Sequence, residues 1–321
     1  MIKTIFLFLF TFTSVYAQIS GCTDASAQNY NAQATINNGS CLYKNLKLKP
    51  EYSMRLSDSV KETSGLIAFD NLLWTHNDDH DKTIYGLDSL GKIKRKIVLT
   101  QIINHDWEEI AQDSTHIYIG DFGNNYSGNR TDLKIFKIGK KSFLEENPKI
   151  ETITFTYSDQ TDFSRSKPNK TNLDCEAFIV SKDSIYLFTK QWKSFKTSIY
   201  SLPNQPGSQI AKLQSTLDTK GLVTGATYLE NKKLITLCGY TKAGKPFLYF
   251  LYDFKSPDFL SGNKRRIDLK VRFHQIEGIA TKDGLHYFLT NESLVRKPVI
   301  NVVQQIHYFD LSSFLNSYLH K

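Results

Sequence analysis

Five short segments share a pattern that could carry chemistry. They are Ser64-Gly65-Leu66, Glu108-Glu109-Ile110, Glu176-Ala177-Phe178, Thr224-Gly225-Ala226 and Glu277-Gly278-Ile279. The first position always bears a side-chain oxygen, the second is small except at Glu109, and the third is apolar. The segments follow one another at intervals of 44, 68, 48 and 53 residues. Gathered about one axis, Ser64, Glu108, Glu176, Thr224 and Glu277 would place three carboxylates and two hydroxyls around a common point. Carboxylates held that close and half-buried repel, so they either take up protons or enclose a cation. A ring of hard oxygens suits Ca²⁺, which takes six to eight oxygen ligands, with water or backbone carbonyls completing the shell. The alternative is a metal-free polar channel.

The elements that must position these residues are strands. From residue 50 onward there is almost no helical periodicity, and short apolar or alternating runs recur between turn signals ("NLLWTHND", "STHIYIGDFG", "SIYLFTKQW", "KKLITLCGY", "LHYFLTNE"). This reads as all-β. Each tripeptide is followed 11 to 14 residues later by a strand reaching Thr75, Gly120, Thr189, Cys238 or Thr290, and two more strands precede the next copy. Four strands in about 50 residues is the size of a propeller blade. Five copies predict a five-bladed β-propeller over residues 50–316, with six blades as the alternative if the polar stretch "DQTDFSRSKPNKTN" hides further strands. The last repeat supplies three strands, and "EYSMRLSD" (51–58) is expected to add the fourth and close the ring, removing exposed edges. With the tripeptides on the innermost strands, Glu108 falls in the oxygen column and is read as the channel ligand. Glu109 is expected to point away from the ring, toward a neighbouring strand or Arg130.

The N-terminal residues 1–17 combine Lys3, an apolar run and a small residue before Gln18, which reads as a secretory signal peptide. No later stretch is long enough to span a membrane, so the mature chain is expected to be exported, either secreted or periplasmic, and monomeric. A lipoprotein anchored through Cys22 in "ISGC" is the minority alternative. The net charge is +8, but the lysines are scattered. That argues against nucleic acid and for a small anionic ligand or a cell-surface polymer as partner. Cys175 and Cys238 lie within apolar strands and read as buried free thiols; nothing has zinc-ligand spacing.

Two resemblances add to this reading. "GCTDASAQNYNAQATINNGSC" resembles a Cys-bracketed module of secreted bacterial proteins, which implies a Cys22–Cys41 disulfide in a unit spanning residues 18–45. The ordered motifs "ETSGL", "DWEEIA", "GDFGNN", "CEAF", "VTGA" and "IEGIA" resemble a family of secreted bacterial propellers carrying ESSGL, DWEDIA, GDxGDN, EA, VTGA and EGIA, a family with no settled activity. More distantly, the order Ser, Glu, Glu, Thr, Glu is similar to that in the soluble calcium-activated nucleotidase (apyrase) family. That likeness implies a secreted five-bladed propeller with one central calcium held by Ser and Glu side chains, Thr224 standing where that family has serine. The rim loops carry no counterpart of its nucleotide-binding stretches.

The loops at the mouth faced by the ring are 76–82, 121–132, 190–196, 239–245 and 291–297, with 103–107, 171–174 and 272–275 entering the tripeptides. Arg130, Lys190, Lys242 and Arg296 are candidates to bind phosphate or another anion. His76, Asp78, Asp106, Asp121 and His274 are candidates to position or deprotonate a water. There is no Ser-His-Asp elbow, P-loop or metalloprotease helix. The leading reading is a calcium-binding propeller that binds a ligand or surface polymer. A calcium-dependent phosphohydrolase is the alternative, and a lactonase- or esterase-like propeller the third.

Overall fold

The computed structural model describes residues 18–78 and 80–320, so the expected signal peptide at 1–17 lies outside the described residues. Among the described residues the main strands pair into five four-stranded antiparallel meanders. The first runs Thr63–Phe69, Leu72–Asn77, Thr83–Leu87 and Ile93–Val98. The second runs Trp107–Gln112, His116–Asp121, Lys134–Gly139 and Ile150–Tyr157. The third runs Cys175–Val180, Ser184–Thr189, Thr197–Pro203 and Gly207–Leu217. The fourth runs Leu222–Leu229, Leu234–Tyr240, Pro246–Tyr252 and Asn263–Leu269. The fifth takes Ile276–Thr281, His286–Asn291 and Gln305–Asp310, then borrows Tyr52–Arg55 from near the N-terminus.

The borrowed strand pairs antiparallel with Gln305–Asp310, Met54 opposite Ile306, and so joins the two ends of the chain as the sequence predicts. The first strand of each meander packs against the first strand of the next, and that of the fifth returns to that of the first. This closed cycle about a central channel is a β-propeller.

Each wedge between neighbouring sheets is filled by its own apolar cluster. Trp74, Trp107, Phe136 and Phe143 pack between the first two sheets, and Phe122, Phe155, Phe178 and Tyr200 between the second and third. Trp74 and Trp107 are fully buried. Burying a large apolar side chain of this kind contributes roughly 2–3 kcal/mol. These wedges hold the innermost strands at fixed spacing, which is what allows side chains on them to meet.

Two features close the outer edges. The outer strands of the second and third meanders pair in parallel, Ile153 opposite Gly207, so the polar stretch between those meanders adds no sheet of its own. Leu46–Leu48 pairs in parallel with the outer strand of the fourth. It leads out of the N-terminal module, where Cys22 and Cys41 are disulfide-bonded with Cα atoms 4.8 Å apart. The sulfur of Cys22 is thus engaged with Cys41. The module is docked on the propeller: Tyr252 and Tyr43 both donate to Asp24 Oδ2, at 2.6 and 2.8 Å, and the Arg265 guanidinium lies 4.7 Å over the Tyr43 ring. Cys175 and Cys238 are buried free thiols, as the sequence reads. A helix at Ser312–Leu319, not expected from the sequence, buries Leu315 and Leu319 against the fourth and fifth meanders. Among the described residues no helix is long and apolar enough to cross a membrane.

Candidate functional site

The five tripeptides sit where the innermost strands begin, and they interrupt regular pairing there. In the second meander Gly120 faces Glu109 and Asp121 faces Trp107, so Glu108 has no partner across the ladder. Glu176, Thr224 and Glu277 are skipped in the same way, and in the first meander the irregularity falls just after Ser64. Each is a β-bulge, which re-aims side chains and suspends the strict alternation of faces.

That local geometry decides the two adjacent glutamates. Glu108 lines a cavity at the channel mouth together with Ser64, Glu176 and Glu277. Glu109 does not point away from the ring, contrary to the alternation argument. It is fully buried and crosses the channel to the fourth meander, where Oε2 accepts from Ala226 N at 2.8 Å; Oε1 accepts from Ile110 N at 3.0 Å. Leu66 N of the first meander donates to the same carboxylate. The small residues of the second column make room for it: a Cβ on Gly65, at φ +63°, would lie 2.7 Å from Glu109 Oε1 and 2.5 Å from Ile110 N.

The cavity above this crossing has a volume of about 620 Å³. Its floor is acidic. Oxygens of Glu108, Asp174 and Glu176 lie within 4.8 Å of one another, and all three residues are buried. Lys190, 4% exposed, places Nζ 2.9 Å from Glu176 Oε2. Burial pushes Glu108 well above the ordinary carboxylate range, and Glu176, Asp106 and Asp174 push it further. Burial and then Glu176 do the same to Asp174. Burial raises Glu176 to about 7 although Lys190 opposes it, and Glu277 to about 8 against the same opposition. Asp106 is pushed up to about 6 by burial, with Asp174 adding to it. Burial would lower Lys190, but Glu176 and its acidic neighbours hold its ammonium well above the ordinary lysine range.

Gly123 of "GDFGNN" explains how Asp106 and Glu108 pack so tightly. A Cβ there would lie 2.3 Å from both Asp106 Cγ and Glu108 Oε1, so only a glycine backbone passes between that loop and the carboxylates.

The donor set fits a hard divalent cation. Three carboxylates converge, and Glu176 Oε1 and Glu277 Oε2 are buried without a hydrogen-bond partner among the described residues. Buried carboxylate oxygens without a partner are costly unless protonated or matched by positive charge. Ser64 and Thr224, the two hydroxyls of the expected ring, serve a different purpose. Ser64 Oγ donates to Glu108 O at 2.6 Å and Thr224 Oγ1 to Ile276 O, stitching neighbouring meanders together. Thr224 does not line the cavity, whereas Asp174, which the sequence reading passed over, joins the cluster. The available signal was the repeated spacing Asp-x-Glu, Asp106 before Glu108 and Asp174 before Glu176.

The other predicted residues divide. Asp78, His274, Lys242 and Arg296 line the cavity. Lys190 lies in the acidic floor rather than at the rim, paired with Glu176 and 4.8 Å from the centre of the Trp192 ring. Arg130 is committed to its own loop, with Nη2 to Asp121 Oδ1 at 2.9 Å, Nη1 to Gly123 O at 2.8 Å and Nε to Asp132 Oδ1 at 3.0 Å. That pairing engages Asp121 through Oδ1, while its Oδ2 is buried without a hydrogen-bond partner among the described residues. His76 is fully buried against Trp107, and burial lowers it to about 4, so it is a neutral buried residue that does not line the cavity. His274 engages both ring nitrogens, Nδ1 with Arg272 O and Nε2 with Gln305 Oε1, each at 2.9 Å.

The walls are aromatic: Trp192, Phe195, Tyr240 and Phe273, which lie in the expected rim loops but were not among the candidate site residues. Trp192 is oriented by its Nε1 donating to Asp174 Oδ2 at 2.7 Å. Phe195 and Phe273 sit at φ +55° and +63°, a left-handed conformation unusual for bulky residues and concentrated at functional sites. A hairpin, Leu294–Arg296 with Ile300–Val302, overhangs the same cavity.

Fold and site together define a β-propeller with an acidic, aromatic-walled cavity at one mouth of its channel. No protein-family model and no curated protein matches the sequence. Among solved structures the chain is similar to a streptogramin B lyase at 12% identity, covering 80% of this chain and 86% of that one with a TM-score of 0.40. The RRP9 WD40 repeats are similar at 10% identity, covering 80% and 97%, also with a TM-score of 0.40. At these values neither bears on activity.

Proposed function

We propose that this protein binds a divalent cation, calcium in particular, at the floor of the cavity, and takes up a small anionic ligand above it. Glu108, Asp174 and Glu176 would hold the ion, with Glu277 beside them. The observation that carries this reading is the charge balance of the floor: four buried carboxylates face one ammonium, and two of their oxygens have no hydrogen-bond partner among the described residues. A bound divalent cation supplies the missing positive charge. Lys242 and Arg296 at the rim and the aromatic walls then suit an anionic ligand with an apolar or flat body. The disulfide supports an oxidising, extracytoplasmic setting in which calcium is plentiful.

The test is thermal unfolding of the purified protein with chelator, Ca²⁺ or Mg²⁺. Calcium is expected to raise Tm in the wild type and to leave Glu108→Gln unmoved. An equal calcium response in the two proteins would overturn the assignment.

A second reading, a cation-dependent phosphohydrolase, rests on Asp106, a carboxyl beside the floor that burial pushes up and that could position or deprotonate a water. Assays on nucleotides and simple phosphoesters, with and without chelator, decide it; no turnover in either condition sinks it. The lactonase-like reading gains nothing from the His274–His307 ring pair, since His307 is fully buried between Ser53 and Asn291.

A further inference from the structure

Among the described residues, Lys190 is the cation that stands within the carboxylate cluster proposed to hold a metal. It follows the second strand of the third meander, and its backbone N–H donates to Asp174 O at 2.7 Å, which fixes the root of the side chain against the acidic floor. The residue is 4% exposed, yet it lines the cavity. An ammonium has three N–H donors. The ion pair it makes among the described residues is with Glu176 Oε2, at 2.9 Å. Its other close surroundings are aromatic: Nζ lies 4.8 Å from the centre of the Trp192 ring and 5.5 Å from that of Tyr240.

Two positive groups therefore claim the same carboxylates. Glu176 Oε2 faces the ammonium, while Glu176 Oε1 is buried without a hydrogen-bond partner among the described residues. Oxygens of Glu108, Asp174 and Glu176 lie within 4.8 Å of one another. A divalent ion on either oxygen of Glu176 would come within roughly 5–7 Å of Nζ, where like charges repel strongly inside a protein. The rings offer the ammonium a second seat. Cation–π attraction is strongest where water is excluded, and no metal contests it there. The Trp192 ring is itself anchored, Nε1 donating to Asp174 Oδ2 at 2.7 Å. From that seat the ammonium faces the cavity that Lys242 and Arg296 also line.

We infer that Lys190 is a built-in competitor of the metal and the residue that couples metal to anion. Without metal, its ammonium neutralises Glu176 and keeps the floor intact. With metal, it leaves Glu176 for the ring faces and joins Lys242 and Arg296 around an anionic ligand. The coupling is reciprocal: metal releases the cation an anion needs, and an anion draws away the cation that weakens the metal. The role rests on the cation site proposed above and deepens it by naming what sets its affinity. A lysine that only braced Glu176 as a metal ligand would act in the opposite direction, since loss of a brace weakens the metal.

Calcium titration calorimetry on the whole protein, comparing wild type with Lys190→Met and Lys190→Arg, tests this. Lys190→Met keeps an unbranched side chain without the charge, and it is expected to bind calcium roughly tenfold more tightly than the wild type. Lys190→Arg keeps the charge and should stay within about threefold of the wild type. Adding Glu108→Gln to Lys190→Met should abolish the gain, which ties it to this floor. In sodium sulfate against sodium chloride, at equal ionic strength and free calcium, wild-type calcium affinity should rise about threefold or more, and that of Lys190→Met should not change. If Lys190→Met does not fold, Lys190→Gln makes the same comparison. Calcium binding no tighter than wild type once the charge is removed, an equal gain in Lys190→Arg, a gain that survives Glu108→Gln, or no sulfate effect in the wild type would overturn the inference. Each of those results leaves a wild type that binds calcium. A wild type and variants that all ignore calcium would overturn the cation site and the role of Lys190 together.

Discussion

The two mouths of one channel are built from the two ends of the same five strands, yet they differ in almost every physical respect. At the mouth where the innermost strands begin, bulges turn carboxylates inward, and the cavity lining holds five carboxylates against three cations. At the other, ordinary strand ends and turns leave lysines exposed around an open recess. The difference teaches that sheet position alone does not specify a site. The acidic mouth is expensive, with desolvated like charges that demand compensation. The basic mouth costs little, because its charges stay in water. Glu109 stands between them, its carboxylate bonded across the channel, with only a small void of about 40 Å³ beneath.

The largest effect should come from breaking that divider. Glu109→Ala leaves the N–H groups of Ala226 and Ile110 unpartnered inside the channel. It should destabilise the protein by about 3–5 kcal/mol in urea unfolding. A loss under about 1 kcal/mol would mean the crossing is incidental.

Next come the acidic floor's two neighbours, for which opposite signs are expected. Glu176→Gln strands the buried Lys190 ammonium and should cost about 3 kcal/mol. Glu108→Gln relieves repulsion without removing a cation's partner and should stabilise the chelated protein by about 1 kcal/mol. Thermal scans in chelator compare them; losses of the same size in both would show that the floor is not governed by charge.

The acidic mouth should also make metal-free stability depend on pH. The folded-state carboxyls of Asp106, Glu176 and Glu277, at about 6, 7 and 8, lie above their unfolded values. The folded protein therefore holds more protons than the unfolded chain between about pH 4 and 8, and its stability falls as pH rises through that window. Calcium should flatten the decline, since an ion replaces the protons. A chelated protein whose Tm rises from pH 5 to 8 would contradict this assignment of protonation. The smallest effect belongs to the basic mouth. Lys182→Ala and Lys282→Ala should each change stability by less than about 0.5 kcal/mol, because exposed side chains lose little on truncation.

Much of the fold was legible in the sequence because repetition exposes it. The spacing of the tripeptides gave the innermost strands, and the missing fourth strand of the last repeat pointed to Tyr52–Arg55. The C-terminal helix was not legible, since its eight residues become stable only against Leu285 and the neighbouring sheets. At the site, Glu108, Glu176 and Glu277 line the cavity, and all three stand in the oxygen column that recurs in the sequence. Arg130 and His76 were misplaced as accessible groups, because sequence spacing does not reveal that Asp121 ties down the one and Trp107 covers the other.

By itself, then, the sequence determined the all-β class, the order of the repeats, the closure of the ring and the column in which acids gather. Those follow from periodicity, which is local. Only the tertiary structure decided where Glu109 goes, that Asp174 and Lys190 complete the floor, and that the far mouth is basic. The physical reason is that a bulge overrides strand alternation, and that residues from meanders far apart in sequence meet only when the ring is closed.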